Sequence, residues 1–215
     1  MDIPLIIYRI SGWTHSLVNI FIAYTAIKCK NLWQGRHMFI GAYMCWLAIA
    51  NLTSGITALF NINNLFIEHI PVSFVLKALY LKGQHKSQKV HYFTYLSIII
   101  YVFAQIYKAF DHEGYKQMNA LGAYSGYPFI IIYTVWNLTI LFREKPASQI
   151  LRKNADFWFT ATMFCLAFFS LVSTILDDIS YVANSNMVLY VLFISENFIN
   201  SFLFYGYYRG IKLLR

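Results

Sequence analysis

The chain is predicted to be an all-α polytopic membrane protein, a seven-transmembrane-helix bundle with its N-terminus outside and its C-terminus cytoplasmic. Three observations lead there. The 215 residues are 59% apolar, 19% aromatic and only 12% charged, whereas a soluble domain carries about 25% charged residues. Seven largely apolar runs lie between clusters of Lys and Arg, each near the roughly 20 residues a helix needs to cross about 30 Å of hydrocarbon. Those basic clusters fall on one side of the succession of runs.

The runs place helices at about 6–27, 38–60, 65–81, 91–110, 121–142, 157–181 and 187–208, in one domain of residues 1–215. The first is anchored by Trp13 to Ile27; "IPLIIYRI" before it either extends the helix or lies in the interface. Met38 to Phe60 forms the second. The third, Leu65 to Leu81, carries Glu68, His69, Pro71 and Lys77, and is required to keep the basic clusters on one side. His91 to Phe110 is the fourth. The polar, glycine-rich "DHEGYKQMNALGAYSG" reads as an outer segment ahead of the fifth helix, Leu121 to Phe142. The inner loop "REKPASQILRKNAD", with room for an amphipathic turn or two, leads to the sixth, Phe157 to Tyr181. Met187 to Tyr208 is the seventh. A β-barrel is excluded because the runs are about twice the length of a barrel strand and do not alternate.

Basic residues set the orientation. Lys28, Lys30 and Arg36 follow helix 1; Lys77, Lys82, Lys86 and Lys89 follow helix 3. Arg143, Lys145, Arg152 and Lys153 follow helix 5, and Arg209, Lys212 and Arg215 end helix 7. Fourteen of the seventeen basic residues thus share one side, which the positive-inside rule makes cytoplasmic. The net charge of +8 is then a matter of loops facing anionic headgroups, and no nucleic-acid partner is expected. The bilayer is the expected environment, in the inner (plasma) membrane. No basic segment with a cleavage site precedes helix 1, so helix 1 is expected to target the chain itself. Cys29, Cys45 and Cys165 show no metal-ligand spacing and read as packing residues.

Polar groups inside the runs point to a pocket open to the outside. They include His15 and Asn19 on helix 1, Asn51 on helix 2, His69 on helix 3, and Glu196, Asn197 and Asn200 on helix 7. Lipid satisfies none of these, so they should face the bundle interior or a wet cavity. Ser170, Ser173, Thr174 and Asp177 recur at helical spacing on one face of helix 6. That stripe reads as helix-packing glue, each bond contributing about 0.6–2 kcal/mol, or as pocket lining. Glu196 falls roughly 13 Å from the outer end of helix 7 at about 1.5 Å per residue. There desolvation favours its neutral form, with His15, Asn19 or Asn51 as expected partners.

Several chemistries find no support in the residues. A retinal protein needs a lysine inside helix 7, and none precedes Lys212; zinc-dependent seven-helix hydrolases need histidines there, and helix 7 has none. With no His-x-x-x-His or Glu-x-x-His spacing, no metal site or cofactor is expected. No catalytic residue is marked by a motif.

The segments "NNLFIEHIPVSFVLKALYLKG", "NADFWFTATMFCLAFFSLV" and "ISENFINSFLFYGYYRG" together resemble a family of roughly 200-residue, seven-helix membrane proteins of Bacteroidetes-type bacteria. That family is biochemically uncharacterised and often accompanies sensor histidine kinases. Asn154 to Trp158 match its helix 6 opening, with Ala155 where proline is usual. His69 matches its helix 3 histidine and Asn200 its helix 7 asparagine. Glu196 stands where the family has histidine, and no glutamate matches the one expected near Val75. The resemblance implies a sensory or signal-relay role through a cytoplasmic or membrane partner of the histidine kinase type. A small-solute transporter or channel component, and an intramembrane lipid-modifying enzyme, are the alternatives.

Overall fold

The computed structural model describes residues 3–59, 69–110, 114–144, 153–183 and 201–215. Side-chain surroundings are described for these except residues 3–13, 54–59, 69–71, 106, 108–110, 114–125, 144, 173 and 177–183. Among the described residues the chain is all-helical, without a strand: α1 Ile3–Ile27, α2 His37–Leu59, α3 His69–Lys82, α4 Gln88–Phe110, α5 Gly114–Glu144, α6 Ala155–Ala183 and α7 Tyr208–Leu214. A 3₁₀ turn, Lys30–Trp33, separates α1 from α2, and a π-helical turn, Leu203–Tyr207, leads into α7.

Residues 3–10 extend α1. The α5 helix starts at Gly114, seven residues ahead of the apolar run that marks it in sequence. Residues 65–68 of the expected third helix and 187–200 of the expected seventh lie outside the described residues. Among the described residues one segment, Ala155–Leu176 with mean hydropathy 2.0, is long and apolar enough to cross a membrane; Thr14–Ile27 and His37–Thr53 are shorter apolar helical segments.

The helices close into a ring. α1 packs on α2, α2 on α3, α3 on α5 and α5 on α6; α7 completes the circuit by touching both α6 and α1. α4 packs outside the ring in the angle between α3 and α5. Aromatic rings fill much of the interior. Phe74 of α3 stacks on Tyr101 of α4 with centroids 4.0 Å apart, and Phe129 and Tyr133 of α5 stack at 5.3 Å.

Two tight approaches fix the ends. Gly35, with φ at +53°, turns the chain into α2 in the left-handed region that favours glycine. The Trp33 indole N–H donates to the Ala26 carbonyl at 3.1 Å, and Asn31 donates to the Leu214 carbonyl at 2.5 Å, tying the first loop to the end of α7. On the other side, Gly206 of the π turn and Gly210 of α7 face α6 at the four-residue spacing by which small residues let helix backbones approach. A Cβ at Gly210 would stand 2.3 Å from the Phe159 ring, and one at Gly206 1.8 Å from the Thr162 hydroxyl oxygen.

Candidate functional site

A cavity of about 130 Å³ lies inside the ring. His15 of α1, Tyr43 and Leu47 of α2, and Ser73, Phe74 and Lys77 of α3 line one part of its wall. Tyr101 of α4, Tyr127 of α5, Leu166 and Ser170 of α6 and Leu203 of the π turn line the rest. Every helix therefore contributes, the last through the turn that enters it. Two backbone irregularities border the space. Pro128 sits inside α5 beside Tyr127, and its missing N–H leaves the carbonyl four residues earlier without a helical donor. The π turn begins at Leu203, an arrangement that recurs at functional sites in helices.

Lys77 is the unexpected member. It is 6% exposed, and no carboxylate among the described residues is within ion-pair distance of it. Its ammonium stands over the Tyr43 ring, 4.6 Å from the centroid, a contact that stabilises a desolvated cation by about 2 kcal/mol. The helical period explains its placement. Lys77 shares a face with Ser73, Phe74, Tyr80 and Leu81, all buried, so its position before the basic loop does not carry it out of the core.

A second polar cluster joins the elements at the basic end. Asp156, in the first turn of α6, accepts from Arg36 Nη2 at 2.5 Å, His37 Nε2 at 3.0 Å and the Tyr80 hydroxyl at 2.8 Å. Asn154 caps α6, its Oδ1 accepting the Phe157 N–H at 3.2 Å. A carboxylate at this end of a helix also meets the positive end of the helix dipole. Arg36 reaches further, donating to the Gly83 carbonyl at 3.1 Å, and Gln84 donates to Thr160 at 3.0 Å. One side chain thus links the first loop, α2, α3 and α6. Nearby, burial lowers the pKa of His85, against an opposing hydrogen bond with Asn137.

The residues singled out in sequence distribute unevenly. His15 and Ser170 line the cavity. Asn19 is 1% exposed, and neither its amide nitrogen nor its oxygen has a hydrogen-bond partner among the described residues. Asn51 donates to the Leu47 carbonyl of its own helix at 2.8 Å, and Thr174 to the Ser170 carbonyl at 2.9 Å. Both bonds stay within one turn, so neither joins two helices. His69 opens α3; its side chain, like those of Ser173 and Asp177, lies outside the described residues, as do Glu196, Asn197 and Asn200 altogether. The three cysteines are free, with Cys29 buried. Lys77 and Asp156, which the structure places in the cavity wall and in the polar cluster, are not among the residues singled out in sequence. The available signals were the burial-compatible spacing of Lys77 with Ser73 and Tyr80, and the isolation of Asp156 beside a run of basic residues.

No protein-family model, curated protein or solved structure matches the chain.

Proposed function

We propose that the chain is a multi-pass inner-membrane sensor or signal relay, which takes a small ligand in its central cavity and passes occupancy to a cytoplasmic partner through the Arg36–Asp156 joint. The observation that carries this reading is the cavity itself: six helices and the turn that enters the seventh bound it, and it holds a buried cation without a carboxylate partner among the described residues. An occupant touching that many helices biases their arrangement to the extent that it binds one arrangement better than another.

The order of side chains supports a lipid surround. On α4, Tyr92, Leu96, Ile99, Phe103 and Tyr107 point outward at helical spacing, with Tyr92 73% and Phe103 70% exposed, while Thr94 and Gln105 are buried. α1 repeats the pattern with Leu17, Phe21, Tyr24 and Ile27 outside and Asn19 and Thr25 inside, and α5 with Ile132 and Trp136 outside and Thr134 and Asn137 inside. Water would favour the reverse. In hydrocarbon this is the expected arrangement. A topology reporter fused after Arg215 should read cytoplasmic and one inserted near Gly114 outside; an outside reading at Arg215 would remove a helix from the seven-span reading.

The relay is tested by distance. Gln34 and Lys153 are exposed on either side of the Arg36–Asp156 contact. Spin labels at both, in a background with Cys29, Cys45 and Cys165 replaced, should report a distribution that shifts by at least about 1 Å, the scale of helix shifts in switching proteins, when Ser170→Phe fills the cavity. An unchanged distribution would refute the relay.

A transporter is the second reading, favoured by Pro128 and the π turn flanking the cavity, since broken helices mark transporter binding sites. Loss of uptake of a solute in a deletion strain, with no change in signalling output, would select it.

A further inference from the structure

We infer that the cavity occupant is a small organic monocarboxylate, paired with Lys77. This rests on the ligand-binding part of the reading above and adds the chemistry of the ligand. A buried ammonium pays a large desolvation penalty that a cation–π contact offsets only in part, and a carboxylate brought beside it supplies the counter-charge that no described residue provides, where the low dielectric makes the attraction strong. The polar lining can complete the recognition: Ser73 lies one turn before Lys77 on the same helix face, and Ser170 lines the cavity from α6. Only one lysine or arginine lines the space among the described residues, which suits one negative charge and leaves a phosphate or a dicarboxylate under-neutralised. Apart from His15 and the tyrosine hydroxyls, the remaining wall is apolar or aromatic, with Leu47, Phe74, Ile130 and Leu166, and calls for a hydrocarbon body. Size limits that body, because a cavity of about 150 Å³ accommodates a benzene-sized molecule and this one measures about 130 Å³.

The test uses the full chain in detergent, with butyrate as probe and 1-butanol and butylamine as neutral and cationic controls of similar shape. Butyrate should bind saturably by calorimetry and raise the unfolding midpoint, and both controls should bind at least about tenfold more weakly, as expected where charge decides recognition. Lys77→Met should lose at least about thirtyfold of butyrate affinity, the effect of removing one partner of a desolvated ion pair. Should Lys77→Met fail to fold, the comparison of the three probes on the unmodified chain still decides. Equal binding of 1-butanol, unchanged butyrate binding in Lys77→Met, or no butyrate binding would overturn the inference. So would butyrate binding that emerges only in Glu196→Gln, because an internal carboxylate would then already hold Lys77. The relay fails separately: butyrate bound through Lys77 with no change in the Gln34–Lys153 distance would leave the ligand chemistry standing and remove the signalling role.

Discussion

Gly210→Ala is expected to destabilise the bundle by about 3 kcal/mol, at the upper end of what overpacking a filled interior costs. The added methyl would lie 2.3, 2.6 and 2.9 Å from three carbons of the Phe159 ring, all closer than carbon atoms tolerate. The ring has no room to retreat. Phe159 is fully buried, and its neighbours at 6.1–6.3 Å between centroids are His37, Tyr80 and Tyr207, two of which hold Asp156. Gly206→Ala should cost less, because the closest atom is the Thr162 hydroxyl, which can turn away by giving up its bond to the Trp158 carbonyl. Gly41→Ala should cost least, its neighbour being the Leu32 side chain at 3.3 Å. Unfolding midpoints of the three variants should follow that order, and Phe159→Leu should recover part of the Gly210→Ala loss in a double-mutant cycle. A Gly210→Ala protein as stable as the parent would mean that α7 does not approach α6 this closely.

Helices were the legible part of the sequence because the same apolar runs that suit hydrocarbon also make continuous helix. Their limits were less legible, for a physical reason that α5 illustrates. Hydropathy reports where side chains prefer lipid, whereas the backbone continues its hydrogen-bond ladder as long as nothing breaks it, so the polar stretch from Gly114 to Ala120 is helical although it reads as a loop. For residues 3–10 the apolar sequence fits either an extension of the first helix or an interfacial segment, and the backbone continues α1 through them. Lys77 shows the limit of counting charges. Placed among the basic residues that follow helix 3, it argues for a cytoplasmic loop, yet its helical phase turns it into the ring beside Tyr43. Phase was readable in the sequence; which face points inward depends on neighbours far along the chain. The four-residue spacing of Gly206 and Gly210 was equally visible, but its partner Phe159 is identified only by the packing of α7 on α6. Of the polar residues that stood out in the sequence, His15 and Ser170 line the cavity, while Asn51 and Thr174 bond within their own helices.

Asp156→Asn is expected to cost about 2–3 kcal/mol and to loosen the end of the bundle where the relay is proposed to act. The carboxylate accepts from three donors, Arg36 on one oxygen and His37 and Tyr80 on the other. An amide keeps the shape but offers only one accepting oxygen, so whichever way it turns its NH₂ faces a donor. The charge on Arg36 is also left without its partner. Breaking a fully buried pair costs about 3–5 kcal/mol. The lower figure is expected here because the Arg36 side chain is 37% exposed, against 19% for Asp156, and water can take over some of its hydration. Gln84→Met supplies the control, since it removes a single neutral bond to Thr160 expected to contribute about 1 kcal/mol. Two measurements check the argument. The unfolding midpoint should fall further in Asp156→Asn than in Gln84→Met, and the loss should shrink when Arg36 is already Met, because the two side chains act as one unit. The Gln34–Lys153 distance distribution should broaden in Asp156→Asn. Equal midpoints for Asp156→Asn and Gln84→Met would reduce the cluster to surface contacts, and a narrow, unshifted distribution would show that α6 is held to the first loop by packing alone.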